Sequence, residues 1–372
     1  VTSNDGAGSA EEPLVDVVIA VHTAARPIHR IVGSILDATS APVRVTVVAH
    51  NISAEVIGAN LTRYSEDPRL RILELHDGIA SPAGPLNLGL DRSTARFLSI
   101  AGSDDEFAPG AIDSWLAVQA ETAADVVLSR ITLVNGKTDP YPPVRNGRRL
   151  RDLDPVRDRL SYRSAPLGLI DRRRHAELRF TEGLPSGEDL SYSGALWFTS
   201  AAIAYDLTGP AYVGHGDAVD RVTSDPRGVD VDFGFLDAVE GADWFRSLDA
   251  RARSAVVVKY IRVHVFDAIR ARLIDQPTFD GHRSDLISVV ARLRRLSPGA
   301  FGLLARADNA VLQEVMRAGS DVDELRTLVA RRGDYRRLDA MITVDPLRIL
   351  SAQAPFRTLL AGLRVMSQRG LR

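Results

Sequence analysis

The sequence predicts an α/β fold, a mostly parallel central sheet flanked by helices, with a helical C-terminal region after it. Three observations predict this. Apolar, β-branched runs such as "LVDVVIAVHT" (14–23) and "VRVTVVAHN" (43–51) are nearly continuous, as strands buried on both faces require. Segments with three- and four-residue apolar spacing alternate with those runs. From about Ala238 to the end, helical periodicity takes over, in Arg- and Leu-rich segments such as "DLISVVARLRRL" and "VDELRTLVARR".

Taken in order, the first strand (14–23) leads into a helix in which Ile28, Ile31, Val32, Ile35 and Leu36 share one face. The second strand (43–51) is followed by a short helix, "EVIGANLTRY", and a third strand, "LRILELHD" (70–77). "GPLNLGLDRST" (84–94) reads as a helix, with Pro85 acceptable in its first turn. "ARFLSIAG" (95–102) is a fourth strand and delivers Asp104, Asp105 and Glu106 just beyond its end. A proline-opened helix (109–121) and a further strand, "ADVVLSRITLV" (124–134), complete the alternation, which predicts a parallel sheet. Residues 135–174 mix Pro, Arg and Asp without periodicity. They read either as a solvated connector or as a mobile segment over a substrate. "RFTEGLPSGEDLSYSGALWFTSA" (179–201) then combines Gly- and Pro-punctuated turns, two adjacent acids and an apolar helix.

A chain of 372 residues exceeds one ordinary core, so the reading divides it into a small polar tail (1–13), an α/β domain (14–237) and a helical region (238–372). Hydrophobic residues at 45% and charged residues at 25% suit a soluble globular protein, and a net charge of -2 gives no argument for a nucleic-acid partner. Cysteine is absent, which excludes disulfide frameworks and thiolate zinc sites and suits a reducing cytoplasm. No stretch approaches the roughly 18 apolar residues of a membrane span.

In open parallel sheets, ligands bind beyond the carboxyl ends of the strands. Three polar clusters fall there: His50 with Asn51, His76 with Asp77, and Asp104 to Glu106. Asp104 and Asp105 offer hard oxygens of the kind that hold Mg²⁺ or Mn²⁺, or they cap the helix that follows. Glu188 and Asp189 precede the next helix, as a helix start or as a general base beside a pocket. His215, between two glycines, is a loop histidine or a late metal or phosphate ligand. Phosphate-cradling loops, dinucleotide fingerprints, zinc-protease motifs and nucleophile elbows are missing from the sequence.

The order of these pieces resembles the family 2 glycosyltransferases, inverting enzymes with a Rossmann-like GT-A fold. "VDVVIAVHT", "VRVTVVAHNIS", "GPLNLGLDRSTARFLSIAGSDDEFAPGAI" and "EGLPSGEDLSY" follow the succession and spacing of that family's motifs, over roughly residues 14–223. The resemblance implies a nucleotide-diphosphate sugar as donor. Ala20, Val21, His22, His50 and Asn51 would sit by the nucleoside, Asp77 near the base, and Asn87 and Ser103 close to the sugar nucleotide. It implies Mn²⁺ or Mg²⁺ on Asp104, with Asp105 and His215 as further ligands, and Asp189 as catalytic base with Glu188 beside it. A glycan, polyol-phosphate or lipid-linked acceptor is expected. Two departures stand out: Gly102 occupies the first acid position of the metal motif, and His50–Asn51 replaces an acid pair. They motivate an alternative, a degenerate GT-A domain that binds or scaffolds without catalysis. After Asp345 the chain has five arginines and no acid. This basic amphipathic end suits either an anionic membrane surface or packing onto the catalytic domain or a second subunit. The expected location is the cytoplasm, with the inner membrane face as the site of any such contact.

Overall fold

The computed structural model describes residues 12–145, 151–216 and 227–368. Most of the expected polar tail lies outside the described residues, as do Arg369 and Arg372 of the basic end.

The strands form where the apolar runs predict them. β1 (Val15–Val21), β2 (Val43–His50), β3 (Leu70–Leu75) and β4 (Phe97–Ala101) lie parallel in the order β3-β2-β1-β4. They alternate with α1 (Ile28–Leu36), α2 (Ala54–Gly58) and α3 (Ala83–Arg92). Next come β5 (Glu106–Phe107), α4 (Ala111–Thr122), β6 (Val126–Ser129), β7 (Ile131–Leu133), β8 (Gly168–Asp171), α5 (Glu188–Thr199), β9 (Ile203–Asp206) and β10 (Tyr212–Gly214). The seven-stranded sheet continues as β8-β6-β9, and β8 is its one antiparallel member. A separate three-stranded sheet, β5-β10-β7, stands beyond the carboxyl end of β4.

One reading is corrected: the run 124–134 is two strands in two different sheets, because the chain leaves the main sheet at Arg130. The apolar helix expected within 179–201 forms over Glu188–Thr199.

Burial explains the elements. One face of the sheet packs on α1 and α4 through Ile28, Ile31, Ile35, Ile112 and Trp115. The other packs on α3 and α5 through Leu86, Leu90, Leu196 and Trp197. The strictly buried Asp16 in β1 is held by Thr46 (2.7 Å) and Arg71 (3.1 Å), so its charge is paired at the amino end of the sheet, away from the site.

From Val229 onward every described element but one extended bridge is helical, and these helices build a third core. α5 joins it to the sheet, since Leu190 and Ala195 belong to the helical core while Tyr192, Leu196 and Trp197 belong to the sheet core. The connector mixes exposed and buried residues in its described part. Arg159 is buried and donates to the carbonyls of Pro143 and Ala352 (both 2.7 Å), and buried Arg163 donates to those of Ser129 and Tyr141. Its arginines thus tie the helical region to the sheet. In the last helix, Pro355–Met366, Ala361, Gly362 and Val365 face inward. Phe356, Leu360, Leu363 and Met366 are exposed.

Candidate active site

The carboxyl ends of β1, β2, β3 and β4 lie side by side, with Val21 level with Ala49, His50 with Leu75, and Ile19 with Ala101. Residues just past each end therefore share one rim.

On one side of the rim, Asn51 adopts a left-handed backbone (φ 56°), which asparagine tolerates better than most residues. That turn aims its Oδ1 at the Asp77 and Gly78 amides (3.1 and 3.0 Å). His50 Nε2 lies 2.8 Å from Asp77 Oδ1. Burial alone would raise the Asp77 carboxyl, but the Ile79 amide, His50 and Asn51 outweigh it and hold it below the usual range. The structure thus brings His50, Asn51 and Asp77 into one network. Ala20 and Val21 end β1 beside it, and His22 is exposed.

On the other side, Asp104 is buried against Arg26 (3.0 Å), and its backbone carbonyl accepts from Arg30 (2.8 Å). Asp105 accepts from the Tyr212 hydroxyl (2.5 Å) and the His215 amide (2.8 Å). Burial pushes the Asp105 carboxyl up against those bonds. The Tyr212 hydroxyl in turn accepts from the Gly102 amide (2.9 Å). Gly102 now has a physical account. A Cβ there would lie 2.6 Å from Asp105 Oδ2, so a larger residue would have to displace the end of the Asp105 side chain from its bonds to Tyr212 and His215. Ser103 is buried beside it, and His215 Nε2 lies 3.5 Å from Glu106.

Among the described residues, no group of three or more His, Asp or Glu side chains is arranged to hold a metal ion. Asp104, Asp105 and His215 therefore do not form a closed cage, although they lie in one neighbourhood. Their chemistry fits a hydrated Mg²⁺ or Mn²⁺, which takes one or two carboxylates and shares the remainder with water and phosphate.

Asn87, expected close to the sugar nucleotide, also has a structural task. It is buried on α3 and clamps the segment before α5, donating to the Phe180 carbonyl and Glu182 (both 3.0 Å) and accepting from the Phe180 amide (2.8 Å). That clamp fixes the turn that presents Glu188 and Asp189. Gly187, in the left-handed region (φ 77°), starts α5 and leaves both acids in its first turn. Glu188 is pushed up to about 7 by burial and by the neighbouring Asp189 charge. Asp189 is also raised by burial, against the attraction of Lys259.

Lys259 escaped the sequence reading. It closes the helix Ala250–Tyr260, directly before a π-helical turn, Ile261–Val265. The wider i, i+5 turn sets Lys259 Nζ 2.8 Å from His264 Nε2, and Nζ also donates to Ser164 Oγ (2.9 Å). Burial pushes the Lys259 ammonium down to about 7, with Asp189 opposing. The signal was available: Lys259 is one of two lysines in the chain and sits inside "SAVVVKYI". Arginine at that position could not lose its charge.

The model of Glycosyl transferase family 2 matches residues 16–175. No curated protein matches the chain significantly. Among solved structures, TarS 1–349 of S. aureus in complex with UDP-GlcNAc superposes with a TM-score of 0.66 at 18% identity, covering 87% of this chain and 93% of that one. The same S. aureus fragment in complex with UDP gives 0.63, also at 18% identity and with the same coverage. TarS without the 1–349 limit gives 0.61 at 18% identity, with 87% of this chain and 56% of that chain covered. At that identity the likeness shows the fold, which is of the GT-A type with a helical C-terminal region.

Proposed function

The chain carries a family 2 glycosyltransferase domain over residues 16–175, and on that premise we propose an inverting transfer of a sugar from a nucleotide diphosphate to a hydroxyl acceptor, with Asp189 as base. One observation carries this reading: Asp189 stands at the start of α5, half-buried, raised by burial and within the electrostatic reach of buried Lys259. A carboxylate raised in this way is a stronger base than a solvated one. The acceptor hydroxyl gives its proton to Asp189 as its oxygen bonds to the anomeric carbon. The bond from that carbon to the diphosphate oxygen breaks on the opposite face, and the nucleoside diphosphate leaves with the electron pair.

The bound UDP and UDP-GlcNAc of the TarS structures support a uridine diphosphate sugar as donor. The His50–Asn51–Asp77 network would meet the nucleoside, as the carboxyl-end rim of the sheet suggests. Asp104, with Asp105 and His215 nearby, would hold Mn²⁺ or Mg²⁺, which would supply charge neutralisation at the diphosphate. Arg26 and Arg30 bring positive charge to the same corner. The acceptor class expected is a glycan, a polyol-phosphate or a lipid-linked chain of the cell envelope. Contact of the exposed face of Pro355–Met366 with an anionic membrane belongs to the same reading. Vesicle flotation checks it, and a chain that stays at the bottom of the gradient overturns it.

The test of the base is Asp189→Asn. Transfer should fall by about 10²–10⁴-fold while UDP affinity stays unchanged. Undiminished turnover would remove Asp189 from the role. The test of the metal is Asp104→Ala, measured by UDP calorimetry with Mn²⁺ and with a chelator. The substitution should weaken binding only in Mn²⁺, and equal weakening in both solutions would refute metal binding at Asp104.

A further inference from the structure

A cleft of about 520 Å³ opens where the connector meets the helical region. Arg251, Arg253, Arg295 and Arg348 line it with Ser254 and Ser297, and no acid is among its lining residues. Two acids stand nearby. Asp345 pairs with Arg348 Nε (3.1 Å), and Asp249 caps the helix Ala250–Tyr260 by accepting from the Ala252 amide. The cleft therefore keeps an excess of positive charge. Arg253 donates to the carbonyls of Arg246 and Leu248, which leaves its charge intact, and its buried Nε makes no hydrogen bond among the described residues. Arg348 is braced by the Gly299 carbonyl (3.0 Å), while Arg251 and Arg295 are exposed.

Four guanidinium groups around one hollow repel one another unless an anion lies between them. Their planar forks match phosphate oxygens, and the linked hydroxyls of Ser254 and Ser297 (2.8 Å apart) add neutral donors. A single phosphate occupies one or two such forks. Four, spread over an open cleft, suit a chain of phosphates.

The position of the cleft matters as much as its charge. Arg251 and Arg253 lie in the first turns of Ala250–Tyr260, and Lys259, whose charge acts on Asp189, lies in the last turn of the same helix. At 1.5 Å per residue, Arg251 and Lys259 are about 12 Å apart along the axis. The cleft thus shares a helix with the lysine whose charge acts on the proposed base.

We propose that this arginine cleft binds the phosphodiester backbone of an anionic acceptor polymer. The inference rests on the glycosyltransferase reading above and narrows its acceptor to a polyanion. The probe is a fluorescent poly(glycerol phosphate) oligomer, followed by anisotropy at low ionic strength. Inorganic phosphate, uncharged dextran and phosphatidylglycerol vesicles are run in parallel, and UDP affinity is measured on the same samples. The intact chain should bind the oligomer, more weakly as salt is added. The double charge reversal Arg251→Glu with Arg295→Glu should weaken it at least tenfold, with UDP affinity unchanged. Unchanged oligomer affinity in the variant overturns the cleft, as does binding of inorganic phosphate or vesicles alone. Failure of the intact chain to bind UDP counts against the donor reading instead, so the two fail separately.

Discussion

At the residue scale, the acids at the start of α5 shift one another, and Asp189 also responds to the charge of Lys259; on the proposed mechanism these shifts set the pH dependence of transfer. Glu188 is pushed up to about 7, and Asp189 is raised as well. A raised base must still be ionised to act, so turnover should fall as pH drops through the titration of this pair. Lys259→Met removes the one positive charge that lowers the Asp189 carboxyl. The acid limb of the kcat profile should then move to higher pH. Glu188→Gln removes a neighbouring negative charge, and the same limb should move to lower pH. Opposite displacements in the two variants are the expected result, and coincident profiles would show that neither residue tunes the base. A second consequence concerns stability. Ionising Glu188 costs the folded state, a cost absent below about 4.5 and complete above about 7. Glu188→Gln should therefore melt higher than the parent at pH 8, by about 2–4 °C for each kcal/mol relieved. The difference should close towards pH 4.

At the element scale, α5 meets the helical region with almost no clearance. A Cβ on Gly194 would lie 2.3 Å from the Trp244 ring, which stacks on Phe198 at 5.7 Å. Gly194→Ala should cost about 1–3 kcal/mol through overpacking, read as a lower denaturation midpoint with an unchanged slope. A neutral substitution would mean that Trp244 moves freely. Elements of this kind mark how far the sequence is legible. The strands β1, β2 and β4 were readable because burial on both faces leaves a continuous apolar run, and the acids past β4 were readable because strand ends fix where side chains emerge. The failures have physical causes too. The break at Arg130 sends adjacent strands into different sheets, a decision made by long-range pairing. The amide of Asn87 clamps Phe180 and Glu182, a contact 93–95 residues away that no local pattern announces. Arg159 and Arg163 read as loop charges because a guanidinium that donates to buried carbonyls has no local sequence signature. Gly102 looked like a lost acid, and only the side chain of Asp105, three residues on and folded back, shows what a larger residue there would displace.

At the scale of the whole molecule, the catalytic sheet and the helical region share contacts that neither could replace with water. α5 gives Leu190 and Ala195 to one core and Tyr192, Leu196 and Trp197 to the other. Arg159 reaches the Ala352 carbonyl from the connector, and Arg262 reaches the Gln353 and Leu303 carbonyls while meeting the Tyr162 hydroxyl at 3.2 Å. Unfolding the helical region alone would expose the Lys259–Ser164 and Lys259–His264 bonds and strip half the burial from α5. Its local stability is therefore tied to that of the sheet, and the two should melt as one unit. Scanning calorimetry should give a single endotherm whose calorimetric and van't Hoff enthalpies agree. Two resolved endotherms would show independent domains. In that case the placement of Lys259 opposite Asp189 would vary with temperature, and the pH profile of transfer would lose its acid limb before the sheet unfolds. Agreement of the enthalpies, together with an acid limb that persists to the melting temperature, would mean that the helical region acts as the fixed wall of the active site.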